Sequence, residues 1–303
     1  LVEAGMARLD AETNPADHTQ HRAVLAYNLA QLLAVMGPPE AALAQYALVI
    51  ENDPHHSEYY FERASLLRRM GRYEEAMADY EAAISESPPY PEPHYNRGDL
   101  AAQLGDVRTA VSEFSYVLEL EPTFVDAYVS RAALQLQLGD LDGAEDDVAR
   151  GLALRAAHPR LLLLQGLVAQ ERGDVVAARQ SLDAALALQP DLAEALASRA
   201  VLAFEAGDVQ AAIDDLTRAL EVTDDPAVRE NRALALEHAG RFREAVSDCD
   251  AALLHPHADR LSVTELRERC LARLQPAVVA PRPRSPLPRA SGTPWTALAG
   301  HVW

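Results

Sequence analysis

The chain has no lysine; all 27 of its basic residues are arginine. That excludes a lysine nucleophile and the other lysine-based sites. Cysteine is nearly as scarce, with only Cys249 and Cys270. Two are too few for a disulfide framework and fit a reducing, cytoplasmic setting, although one bridge between them stays open. Long apolar runs are missing as well. The run Leu161 to Leu164 is cut off by Gln165 and no uninterrupted apolar run exceeds five residues, whereas a bilayer span needs about 20 residues. No membrane-crossing segment is expected. Positive charge is in deficit, because 46 acidic residues give a net charge of -19. A phosphate backbone or an anionic lipid surface would be repelled, so nucleic acid and membrane are not expected partners. The opening segment LVEAGMARLD has no basic stretch, apolar core or cleavage site, so no secretory signal is expected. The first residue is Leu1 rather than Met, which leaves room for sequence upstream.

What is present is a repeat. With 49% apolar and 24% charged residues the composition is globular, and its glycines are phased. Gly37, Gly71, Gly105, Gly139, Gly173, Gly207 and Gly240 recur at one fixed period, and only the last step is shorter, by a single residue. Five residues after each stands an alanine: Ala42, Ala76, Ala110, Ala144, Ala178, Ala212 and Ala245. Seven residues before each stands another small residue: Ala30, Ala64, Gly98, Ala132, Gly166, Ala200 and Ala233. Prolines at Pro54, Pro88, Pro122, Pro190 and Pro256 mark most repeat ends. Apolar residues fall at helical spacing between the marks, as in Leu134, Leu138, Leu141 and Val148. Each unit therefore reads as two helices. The glycine supplies the left-handed residue that ends the first helix, and Asp106, Asp140, Asp174 or Asp208 directly after it caps the second. The small residues let the two helices approach closely.

This pattern resembles the tetratricopeptide repeat, a 34-residue helical hairpin whose length equals the glycine period. The likeness rests on seven copies between residues 23 and 256, starting near 23, 57, 91, 125, 159, 193 and 226. Where an aromatic is usual in the family early in the first helix, the chain has Ala26, Tyr60, His94, Tyr128, Leu162, Leu196 and Arg229, and so departs from the family in the repeats without a tyrosine there. The resemblance implies an all-α, right-handed superhelical solenoid of seven hairpins with capping helices at its ends. Val2, Met6 and Leu9 suggest an N-terminal cap or degenerate half repeat over 1–22. Val263, Leu266, Cys270 and Leu274 suggest a C-terminal capping helix over 257–275. Residues 276–303 form a Pro- and Arg-rich tail that is expected to be disordered.

Arginine occupies one first-helix position in five repeats: Arg63, Arg97, Arg131, Arg199 and Arg232. At one fixed second-helix position the same five carry Asp79, Glu113, Asp147, Asp215 and Asp248. The two repeats with Leu29 and Gln165 instead carry Gln45 and Ser181 there. The acid occurs only where the arginine does, which favours structural ion pairs over an anion-binding stripe, since a guanidinium at a helix interface needs a carboxylate. Histidines sit as the pairs His55 with His56 and His255 with His257, or singly as His94, His18 and His21. They assemble no convergent ligand set, so no metal is expected. No GxSxG, HExxH or CxxC motif is present; neither an enzyme nor a bound cofactor is expected. Cys249 and Cys270 read as inert core thiols.

What remains is the inner face. The resemblance implies that first helices line a concave groove that holds an extended or helical peptide. One groove position reads Tyr27, Phe61 and Tyr95, and around it stand Asn28, Gln31, Glu58, Ser65, Arg68, Arg69, Glu92, Asn96, Asp99, Gln103 and Asp126. Such a surface suits capture of a peptide backbone, with a preference for cationic side chains. Packing of the three rings between repeats is the competing reading. The chain is thus expected to act as a protein-interaction scaffold, with a sensory module serving a separate effector domain as the alternative. The tail, with Arg282, Arg284, Arg289, Trp295 and Trp303 and no acid, is a candidate to dock in the groove.

Overall fold

The computed structural model describes residues 19–86 and 88–274. The expected N-terminal cap around Val2, Met6 and Leu9, with His18, and the tail from 276 lie outside them. The described residues form fifteen α-helices and no strand. The chain divides into two compact units, Leu1–Arg131 and Ala132–Trp303.

In the first unit, α1 (Thr19–Met36) pairs with α2 (Pro39–Asn52), α3 (Ser57–Arg69) with α4 (Tyr73–Ser85), and α5 (Pro91–Gln103) with α6 (Val107–Leu120). Helix α1 runs across residues 22 and 23, where a boundary was expected, so residues 19–22 belong to the first hairpin's helix. The unit boundary falls inside α7 (Val125–Leu138). The second unit continues with α8 (Leu141–Leu154) and three hairpins. These are α9 (Pro159–Glu171) with α10 (Val175–Leu188), α11 (Ala193–Glu205) with α12 (Val209–Val222), and α13 (Pro226–His238) with α14 (Phe242–Ala252). Helix α15 (Arg260–Leu274) then packs on α14. It buries Val263, Leu266 and Cys270 against that hairpin's core, but Leu274 is 39% exposed.

The turns explain the phased glycines. Six of the seven have φ between 75° and 84°. In each of those six turns the residue after the glycine donates its N–H to a carbonyl five residues back, as Asp106 does to Ala101 at 2.8 Å and Asp208 to Ala203 at 2.8 Å. This is the Schellman closure that needs a left-handed residue. Gly37 breaks the expectation: it is not left-handed. The next residue is Pro38, which has no N–H to close the motif and steers its predecessor to extended backbone. The four aspartates cap as their position predicts. Asp106, Asp140, Asp174 and Asp208 each accept from the backbone N–H three residues on.

Close approach fixes the other repeat positions. The second-helix alanines Ala42, Ala76, Ala110, Ala144, Ala178, Ala212 and Ala245 are all 0% exposed. A Cβ on Gly98 would lie 3.0 Å from Phe114, and one on Gly166 would lie 2.9 Å from Leu182. The seam is too narrow for anything larger than the residue present.

Candidate functional site

Four arginines of the repeated position turn into the helix interface. Arg63 meets Asp79 at 2.6 Å, Arg97 meets Glu113 at 3.1 Å, Arg199 meets Asp215 at 2.7 Å and Arg232 meets Asp248 at 2.6 Å. Arg131 donates to Ser115 Oγ at 2.9 Å, and Asp147 is 1% exposed. Where the arginine is replaced, Ser181 Oγ donates to Gln165 Oε1 at 3.1 Å between the same two repeat positions. In the first repeat, with Leu29, the Gln45 Oε1 is buried without a hydrogen-bond partner among the described residues. These residues link helices, and Arg63 and Asp79 also line a separate depression of about 520 Å³ with Glu40, Arg72 and Glu75. Cys249 and Cys270 are buried free thiols; burial pushes the Cys249 thiol up to about 12 and raises that of Cys270.

The ring position behaves likewise. Tyr27, Phe61 and Tyr95 are half-buried, each against an aromatic at one fixed position of the second helix. Their centroids lie 6.3 Å from Tyr46, 6.0 Å from Tyr80 and 5.5 Å from Phe114. Tyr27 also lies 5.0 Å from Tyr59, and Tyr95 5.0 Å from Phe124. The rings pack against the seam and remain partly exposed beside it.

Beside them, within the first unit, an open cleft of about 760 Å³ is lined by Gln31, Ala34, Val35, Tyr46, Glu62, Ser65, Arg68, Arg69, Tyr80, Asn96 and Gln103. Six groove candidates from the sequence are brought together here: Gln31, Ser65, Arg68, Arg69, Asn96 and Gln103. They come from α1, α3 and α5, because residues at the same repeat position of successive first helices stack side by side. The other candidates lie elsewhere. Asn28, Glu58, Glu92 and Asp126 are exposed and Asp99 is half-buried, and none of them lines the cleft. Five lining residues were missed by sequence reasoning: Ala34, Val35, Tyr46, Glu62 and Tyr80. Glu62 occupies the repeat position of Asn28 and Asn96, so the period alone could have found it. Tyr46 and Tyr80 come from second helices, where they share one repeat position.

The charges around the cleft pair off unevenly. Arg68 is bonded to Asp99, while among the described residues Arg69 donates only to the Ala34 carbonyl, at 3.2 Å. Glu58 lies 3.5 Å from His56. Burial raises the Glu62 carboxyl above the ordinary carboxylate range, with Glu58 adding to the shift and Arg69 opposing it. Burial likewise pushes the Tyr46 phenol up to about 12 and raises Tyr80. Tyr27 is raised far above its ordinary value by burial, then by its hydrogen bond to Glu58. Gln31 Nε2 donates to Tyr27 Oη at 2.9 Å and Gln103 Nε2 to Tyr73 Oη at 3.3 Å, so both amides are oriented by phenols.

Among the described residues no group of three or more His, Cys, Asp or Glu could hold a metal ion. No helix among them is long and apolar enough to cross a membrane. A smaller depression of about 380 Å³ in the second unit, between the ends of its hairpins, includes Arg160, Gln189, Asp191 and Thr223.

Comparison with known proteins places this arrangement. A family model described as TPR repeat matches residues 64–105, and one described as Tetratricopeptide repeat matches residues 95–161, 163–226 and 199–260. Among solved structures, the chain is similar to a tetratricopeptide repeat protein from Parabacteroides merdae, at 18% identity and TM-score 0.70, covering 82% of this chain and 98% of that one. It is also similar to a chain of the APC/C hetero-tetramer Cut9–Hcn1, at 18% identity and TM-score 0.67, covering 89% and 55% respectively. A third likeness is to YrrB, described as a TPR protein with an unusual peptide-binding site, at 22% identity and TM-score 0.52, covering 65% and 99%. At these identities the likeness concerns the fold. No curated protein matches the chain.

Proposed function

The chain belongs to the tetratricopeptide repeat family, and from that premise we propose that it is a protein-interaction module that holds an extended segment of a partner protein in the cleft of its first unit. One observation carries the reading. Three first helices, separated in sequence by about one repeat each, deliver Gln31, Ser65, Asn96 and Gln103 to one open cleft. A peptide backbone presents alternating donors and acceptors, and a side-chain amide offers both. Helices hold these groups, so little ordering is needed when a peptide enters. A volume of about 760 Å³ suits a few residues of extended chain. No acid, base and nucleophile converge there, which favours binding without chemistry.

Selection from a displayed library of random peptides tests this. Peptides enriched on the wild-type chain should bind the Gln31→Ala/Asn96→Ala/Gln103→Ala variant at least tenfold more weakly, equivalent to about 1.4 kcal/mol. Helical content by circular dichroism should be unchanged. Equal binding to both proteins would move the site away from the cleft.

A further inference from the structure

Within the cleft, the arithmetic of charge leaves one acid and one base over. Its lining contains three charged side chains, Glu62, Arg68 and Arg69. Arg68 is neutralised by Asp99. Glu62 has no hydrogen bond or ion pair among the described residues, and Arg69 makes only its bond to the Ala34 carbonyl. The two are seven residues apart on α3, which is nearly two full turns, so they share a face about 10 Å apart along the axis. Arg69 and Glu62 already feel each other's charge, and the carboxyl's half-burial raises the cost of keeping it ionised without a partner.

We propose that the occupant of the cleft is an amphoteric peptide, setting a basic side chain against Glu62 and a carboxylate against Arg69, with the two groups about three residues apart. This rests on the reading of the cleft as a peptide site and narrows it. The spacing follows from the chain that must bridge it. A polyproline II segment rises about 3.1 Å per residue with three residues per turn, so its positions i and i+3 lie on one side about 9 Å apart. The amides of Gln31, Asn96 and Gln103 then face the backbone while the charged side chains take the α3 wall. Guanidinium suits a carboxylate because its fork matches both oxygens. The carboxylate can be an acidic side chain or a chain terminus.

Random dodecamers displayed in two formats, with the carboxyl end free and with both ends fused, read out the pairing. Peptides selected on the wild-type chain should be enriched at least fivefold in a Lys or Arg and a carboxylate three positions apart, in one fixed order. Enrichment of the acid confined to the free-end format assigns the terminus as its source; enrichment in both assigns side chains. Glu62→Gln should abolish the basic preference and keep the acidic one, Arg69→Gln should do the reverse, and Glu62→Arg/Arg69→Glu should invert the order. Tight peptides without a charge pair, or preferences unchanged in these variants, would overturn the inference and leave the cleft a peptide site. A library that yields no cleft-dependent binder in either format would overturn both.

Discussion

The two units use the same repeat to different ends. In the first, one pair of facing positions is aromatic on both helices, as in Tyr27 with Tyr46, Phe61 with Tyr80 and Tyr95 with Phe114. In the second the same pair reads Leu163 with Leu182 and Ala197 with Leu216, none of them more than 2% exposed, and then Glu230 with Cys249. A ring on the first helix is too large for the seam to enclose and keeps an edge outside, whereas a leucine or alanine disappears into it. Four residues further along each first helix, the first unit carries Gln31, Ser65 and Asp99, and the second carries Ala133, Leu167, Val201 and Leu234, of which Ala133 and Val201 are buried. The glycine and alanine positions that set the hairpin geometry are the same in both. Backbone architecture and side-chain chemistry are thus carried by separate positions of one repeat, and the second set is where the two units differ.

The sharpest way to separate the units is to empty each core in turn. Phe114 and Leu182 are both fully buried. Phe114→Ala should cost about 3 to 5 kcal/mol and Leu182→Ala about 2 to 5. Native-state hydrogen exchange should show Leu182→Ala weakening protection in α9 to α12 more than in α2 and α3, because a repeat depends most on its neighbours. Uniform loss along the chain would mean one cooperative body and erase the distinction. A second, smaller contrast concerns the link between the arginine position and its second-helix partner. Asp248→Ala strands Arg232, whose side chain is 21% exposed, and should cost about 2 to 4 kcal/mol, below a fully buried pair because water reaches the guanidinium. Ser181→Ala removes a neutral bond to Gln165 and should cost about 1 kcal/mol. Urea denaturation of both variants checks the difference; equal losses would show that the charged form of the link adds nothing over the neutral one.

Much of this was readable before any coordinates, and the exceptions have physical reasons. Phased glycines, capping aspartates and the arginine-acid correlation are rules of local backbone or of charge balance, and each left a trace in all or most repeats. Gly37 escaped because the rule depends on the next residue's N–H, and Pro38 lacks one. Whether Tyr27, Phe61 and Tyr95 face a ligand or the seam could not follow from spacing, because it turns on how deeply a second-helix ring sits beneath them. Tyr46 and Tyr80 were hidden by the assumption that only first helices line the groove. Glu62 was legible through its register with Asn28 and Asn96, and its importance emerged only when its neighbours' charges were paired off.

The finest distinction between the units lies in two glutamates whose carboxyls burial has raised. Glu62, in the first unit, is raised by burial and then by Glu58, with Arg69 opposing. Glu230, in the second, is raised by burial, with the Ser262 hydrogen bond opposing and Asp259 adding. A folded-state pKa above the unfolded one means that the group's stabilising contribution is full below the unfolded pKa and is lost as pH rises through the folded value. At neutral pH the ionised Glu62 is therefore a cost, and Glu62→Gln should be slightly more stable than wild type, within the ~0.5 kcal/mol typical of surface substitutions, since the side chain is only half-buried. The gain should vanish as pH falls into the carboxylate range, where wild type is protonated. Glu230→Gln should gain less at neutral pH, because it exchanges a charge-assisted bond from Ser262 for a neutral one. Urea midpoints measured from pH 4 to 7 decide the matter. If Glu230→Gln gains as much as Glu62→Gln, the serine does not compensate its glutamate, and the first unit's carboxyl is no more poised for a partner than the second's.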